Sequence, residues 1–245
     1  MPGDLYFSRR GFLLSSAAML MWTEAGAEVI SGALPPWVAG RSSVPTPVLP
    51  GPWRFFTAAE ATMVGAIVDR LIPADDLSPG GKDAGCVVFI DAQLAGPFGK
   101  AGGQYVKAPF LPGLPQQGYQ GEDTPAGRYR KGLRALDELV ATRFSGKSFV
   151  TLDPKDQDAL LKGLEAGTIP LQGVDAKRFF ALVLQNTMEG FFADPIYGGN
   201  KNMVGWKMIG FPGARYDYRD WIDRHNEAYP LPPLSIMGRS AWNVQ

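Results

Sequence analysis

The chain of 245 residues has one cysteine and one histidine. A lone Cys86 excludes an internal disulfide framework. With His225 as its only companion, the usual ligand sets of zinc, copper and iron–sulfur centres are excluded as well. No C-x-x-C-H run offers covalent attachment of haem. No G-x-G-x-x-G follows a strand-like run, and neither G-x-S-x-G nor a P-loop occurs. Charge of one sign is also missing, because 24 Lys and Arg balance 24 Asp and Glu. That balance argues against a nucleic-acid binder, which carries a basic surplus or stripe, and against an acidic tail. No apolar run reaches the roughly 20 residues that cross a bilayer, so no integral membrane domain is expected.

Glycine and proline are abundant instead, at 30 and 21 residues. Beside an apolar content typical of core-forming proteins, they predict long ordered loops rather than disorder. Near the N-terminus, Arg9-Arg10-Gly11-Phe12-Leu13 precedes an apolar run through Met21 and Trp22. Positive, apolar and small-residue regions in that order form an export signal, and the paired arginines give it the twin-arginine pattern. The competing reading is an amphipathic N-terminal helix. Ala25-Gly26-Ala27 fits a cleavage site weakly, so an uncleaved signal serving as tether or docking helix stays open. The twin-arginine route carries folded proteins, often with cofactor inserted. Either this chain holds a cofactor of its own, or it accompanies a protein that does.

Four segments are expected: a signal over 1–27, a proline-rich linker or surface strap over 28–54, one helical domain over 55–229 and a tail over 230–245. Within the domain, Thr57-Ala58-Ala59-Glu60 has the spacing of a capping box. Val64, Ile67, Val68, Leu71 and Ile72 then recur at helical spacing until Pro73. Asp83 to Leu94 reads as a second helix, with a strand as the alternative because its core is β-branched. Residues 96–123 form a long loop whose aromatics, Phe98, Tyr105, Phe110 and Tyr119, either serve binding or pin the loop to its own domain. Thr124-Pro125 starts a helix carrying Leu133, Leu136, Val140 and Phe144. Asp153-Pro154 starts another, which Gly167 ends. One more begins near Asp175 and carries Phe179, Phe180, Leu182 and Val183, and a last short helix is expected over Tyr218 to His225. The fold class is mostly α, an irregular helical domain with long loops rich in glycine, proline and aromatics.

From Phe191 to Gly213, aromatics alternate with glycines. Large stiff side chains on a sharply turning backbone suit an interface or a loop folded over its own core. Glu189 and Asp194 flank this stretch and Asp75-Asp76 sit in a loop, so a carboxylate enzyme is conceivable. Caps and loop hydrogen bonds explain these acids more simply. Tyr105, Phe110 and Trp206 keep a sugar-binding module in view. Cys86, among Val87, Val88 and Phe89, reads as a small buried hydrophobe, with a reactive thiol as the alternative.

Three stretches together resemble the gluconate 2-dehydrogenase subunit 3 family: the twin-arginine start, Leu71-Ile72-Pro73-Ala74-Asp75-Asp76 with Ala84-Gly85-Cys86-Val87-Val88-Phe89-Ile90-Asp91, and Asp194-Pro195-Ile196-Tyr197-Gly198-Gly199-Asn200 running on to Val204–Gly213. The likeness covers most of 55–215, and the loop over 96–123 is where it departs from the pattern. The resemblance implies the small subunit of a membrane-associated, FAD-dependent sugar, polyol or sugar-acid dehydrogenase, forming a heterotrimer. It implies no catalytic residue and no cofactor or metal site in this chain. FAD would belong to the large catalytic subunit and haem c to a multihaem cytochrome c subunit that passes electrons to quinone. The small subunit would act like a chaperone in folding, assembly and twin-arginine export of the flavoprotein, engaging the translocase through Arg9, Arg10, Phe12 and Leu13. The complex would sit in the periplasm against the inner membrane. Tyr197, Trp206, Phe211 and Tyr216 are the candidate anchors, buried either in this domain or against the partner. The alternative from another class is an independent exported carbohydrate-active enzyme using paired carboxylates, or a sugar-binding module.

Overall fold

A computed structural model describes residues 46–238 apart from 105, 106, 112 and 216. Arg9, Arg10, Phe12 and Leu13 lie outside the described residues, as do Tyr105 and Tyr216. The described residues form six α-helices and five short 3₁₀ turns, with two isolated β-bridges and no strand among them. The mostly α class holds.

Helix α1, Ala58–Leu71, opens on the expected capping box: Thr57 Oγ1 accepts from Glu60 N at 3.2 Å and Glu60 Oε2 accepts from Thr57 N at 2.8 Å. It buries Val64, Ile67 and Val68. Helix α2, Cys86–Ala95, starts three residues later than the sequence suggests, because residues 81–85 turn first and Gly85 sits at φ 86° in the N-cap position. The strand alternative fails here. Cys86, Val87, Phe89, Ile90 and Leu94 are all buried, and packing against α1 and α5 overrides the weak helix propensity of Val87, Val88 and Ile90.

Helix α3, Pro125–Arg143, is capped by Thr124 Oγ1 on Gly127 N at 3.1 Å, with Pro125 at the first helical position. Helix α4, Pro154–Ala166, ends at Gly167 in the left-handed region at φ 71°. At its start the expected side-chain cap is absent: Asp153 makes no capping hydrogen bond, and proline at the first position leaves one fewer amide to satisfy. Helix α5, Ala176–Phe192, is capped by Asp175 Oδ1 on Arg178 N at 3.0 Å. It packs against α1, α2, α3 and α4 and buries Phe179, Phe180, Val183 and Phe191. Close approach to α3 depends on Gly132, where a Cβ would stand 2.2 Å from the Phe179 ring.

The helix expected over Tyr218 to His225 shrinks to one 3₁₀ turn, Arg219–Trp221. Ile222 is exposed and Asp217 folds back onto the backbone N–H and guanidinium of Arg219, so no apolar stripe is buried to extend the turn.

The segment before α1 is tied down by one carboxylate. Asp91 is buried on α2 and accepts from Arg54 N at 2.8 Å, Phe55 N at 3.0 Å and Phe56 N at 2.9 Å. Arg130 closes the arrangement from α3, donating to Glu60 and to the Phe55 carbonyl with its guanidinium 4.1 Å from the Phe55 ring centre. Asp91→Ala leaves these amides without an acceptor and should cost about 2–4 kcal/mol in urea unfolding. A loss under about 0.5 kcal/mol would show that water replaces the carboxylate.

Cys86 is fully buried, and desolvation pushes its thiol up to about 12. A folded-state value raised above the unfolded one stabilises the fold below the unfolded pKa, and that contribution is lost as pH rises from about 9. The native chain should therefore leave a disulfide reagent such as DTNB unreacted at pH 8 and consume one equivalent only in denaturant.

Candidate functional site: the turn after α5

A helix leaves its last carbonyls without intrahelical partners, and the residues after α5 supply them from side chains. Trp206 Nε1 donates to Phe192 O at 2.7 Å, and Asn200 Nδ2 donates to Ala193 O at 2.8 Å. Asn200 Oδ1 in turn accepts from Gly205 N at 2.9 Å, in the first turn of helix α6, Val204–Ile209. One buried amide therefore joins the end of α5 to the start of α6.

The backbone between them is strained in order to place that amide. Asn200, Asn202 and Met203 all lie in the left-handed region, at φ 46°, 58° and 57°. Each such residue costs on the order of 1 kcal/mol, least for asparagine. Offsetting contacts are Lys201 N to Ala84 O at 2.9 Å and Met203 N to Asn200 O at 2.7 Å. Glycines let backbone rest on backbone: a Cβ on Gly199 would stand 2.1 Å from Gly190 O, and one on Gly205 would stand 2.3 Å from Phe191 O.

Asp194 holds the opposite flank. Its Oδ1 accepts from Ile196 N at 3.0 Å and Ser235 Oγ at 2.6 Å, and its Oδ2 accepts from Ile236 N at 2.8 Å. Glu189 accepts from Gln185 at 2.7 Å and from Asn186 at 2.9 Å, and Tyr129 donates its hydroxyl to Asn186 at 3.1 Å. Burial raises the Tyr129 hydroxyl well above its ordinary value, so it stays a donor. Asp75 accepts from Leu77 N and Ser78 N, both at 2.9 Å, and shapes its own turn. Each of these acids already has a structural task. His225 is exposed. Among the described residues no group of three His, Cys, Asp or Glu could hold a metal ion, and no helix is long and apolar enough to cross a membrane.

The candidate anchors separate by position. Trp206 is 5% exposed, so its indole face is not open for stacking on a sugar. Tyr197 is half-buried against the domain's own core. Phe211 is 44% exposed, with its ring edge-on to Trp206 at 5.2 Å, and Phe110 on the 96–123 loop is also exposed. Beside Phe211 the structure adds two residues that the sequence reading missed, Met208 at 39% and Ile209 at 58% exposure. A signal for them existed: an apolar pair directly before Gly210, on a helix too short to bury more than the face carrying Trp206. Together these three side chains make an apolar edge on a rigid, internally hydrogen-bonded turn.

Gly199→Ala forces two backbones apart and should lower stability by about 2 kcal/mol or more, whereas Ile209→Ser should change it by under about 0.5 kcal/mol. Thermal or urea unfolding of both variants checks the contrast between frame and edge.

A family model described as Gluconate 2-dehydrogenase subunit 3 matches residues 58–213, from the first residue of α1 to the turn beyond α6. No curated protein and no solved structure matches. The matched span is more than half of the chain and includes Asp91 and the whole α5–α6 turn, so the chain belongs to the gluconate 2-dehydrogenase subunit 3 family.

Proposed function

We propose that the chain is the non-catalytic small subunit of an FAD-dependent dehydrogenase complex acting on a sugar, polyol or sugar acid. Its task in that reading is folding, assembly and twin-arginine export of the flavoprotein subunit, with a multihaem cytochrome c subunit as the third member. The complex then resides in the periplasm at the inner membrane. The observation that carries the reading is family membership over a span that includes the α5–α6 turn. The geometry supports it: Asp194, Asn200 and Glu189 are engaged in holding backbone and side chains, and the same turn exposes Met208, Ile209 and Phe211. An apolar edge on a pre-organised frame loses little conformational freedom when a partner covers it. Permanent interfaces of this kind bury upward of about 2,000 Å².

Co-expression of the full chain with its FAD-binding subunit, isolated through a tag on this chain, should yield a yellow complex with dye-linked dehydrogenase activity. Replacing Arg9 and Arg10 by Lys should strand the flavoprotein in the cytoplasm. Ile209→Asp combined with Phe211→Asp should weaken the complex at least about tenfold without unfolding the chain. A chain that purifies alone and colourless, beside a flavoprotein that matures normally without it, would sink the proposal.

A further inference from the structure

On another part of the molecule, the described residues of the 96–123 loop line an open cavity of about 870 Å³ against α3 and α5. Its walls pair aromatic faces with cations. Tyr119 from the loop lies under the Arg128 guanidinium of α3, 4.2 Å from ring centre to Cζ, and Arg178 of α5 stands 5.8 Å from the same ring. Phe98 and Phe110 line the cavity too, and Lys107 adds a third positive charge.

Arg128 is the unexplained member. Its Nε is sequestered from solvent and has no hydrogen-bond partner, and among the described residues no ion pair reaches its guanidinium. Arg128 as a whole is half-buried, and a buried N–H of this kind is normally matched by an acceptor. Burial depresses its pKa, and the neighbouring Tyr119 and Asp123 offset that only in part. The acid on the cavity wall, Asp123, is already held by Lys131 at 2.7 and 2.9 Å. Arg178 is held only by an exposed contact to Asp175 at 3.4 Å, which is worth little. Two guanidiniums therefore converge on one tyrosine with charge to spare, and guanidinium geometry suits a planar carboxylate.

We propose that this cavity binds a small organic acid, its carboxylate held at Arg128 and Arg178 and its carbon chain lying against the Tyr119, Phe98 and Phe110 walls. The site is separate from the Met208–Phe211 edge, and the proposal stands whether or not that edge docks a partner.

Isothermal titration of the full chain with sodium gluconate and sodium malate tests it, with neutral glucitol and inorganic phosphate as controls. At least one acid should saturate a single site with a Kd of about 1 mM or tighter, while glucitol gives no signal. Arg128→Gln should raise that Kd at least tenfold, because the group that holds the carboxylate has been removed. Arg178→Gln, at a more exposed position, should weaken binding about threefold or more and keeps the test valid should the Arg128 variant misfold. The proposal is overturned by no saturable binding of either acid, by equal binding of glucitol, by phosphate binding in place of both acids, or by unchanged affinity in the two variants.

Discussion

The end of α5 sets the terms for the rest of the molecule. A helix buried on most sides must still satisfy its last carbonyls, and water has poor access to them there. Phe192 O and Ala193 O are answered by an indole and an amide that arrive from fourteen and seven residues downstream in sequence, at Trp206 and Asn200. Bringing them back in so short a length of chain forces the run of left-handed residues and the glycine contacts. The glycine-aromatic texture of 191–213 thus follows from one requirement of hydrogen bonding, and the exposed apolar edge is what remains on the outside once it has been met.

The same device recurs at the other end of the matched region. Asp91 gathers three successive amides of the incoming chain onto α2, and Arg130 binds the carbonyl beside them. In both places a single buried polar side chain does what a strand pairing would do elsewhere, and no sheet among the described residues offers that pairing. Between these ties the helices pack in the ordinary way, with Arg70 of α1 bridging to Asp158 of α4 at 2.7 and 2.8 Å on the partly exposed side.

What could be read from the sequence was local. Thr57 with Glu60, Thr124 with Pro125, Asp175 and Gly167 act within three or four residues, and each stands where its spacing places it. Asp91 could not be read this way, because its partners lie 35 to 37 residues away and nothing near it in sequence distinguishes it from a solvated helix acid. Asn200 was hidden for the same reason, and Val87, Val88 and Ile90 kept a strand open beside the expected helix because tertiary burial, not propensity, makes them helical. Tyr218 to His225 failed in the opposite sense: charged spacing suggested a helix that no core face supports. Among the candidate anchors, the aromatic residues were visible from the start, but which of them turn inward depends on the Trp206 hydrogen bond and not on any pattern.

Val48 N donates to Ile196 O at 2.8 Å, and Asp194, two residues before, holds Ser235 and Ile236. Both described flanks are therefore held beside one 3₁₀ turn, Pro195–Tyr197. Further along each flank a second tie takes over, Asp91 on the incoming side and Ala214 N to Leu234 O at 2.6 Å on the outgoing side. A link between positions 48 and 236 would have only the width of that turn to span, so the topology is nearly closed on itself.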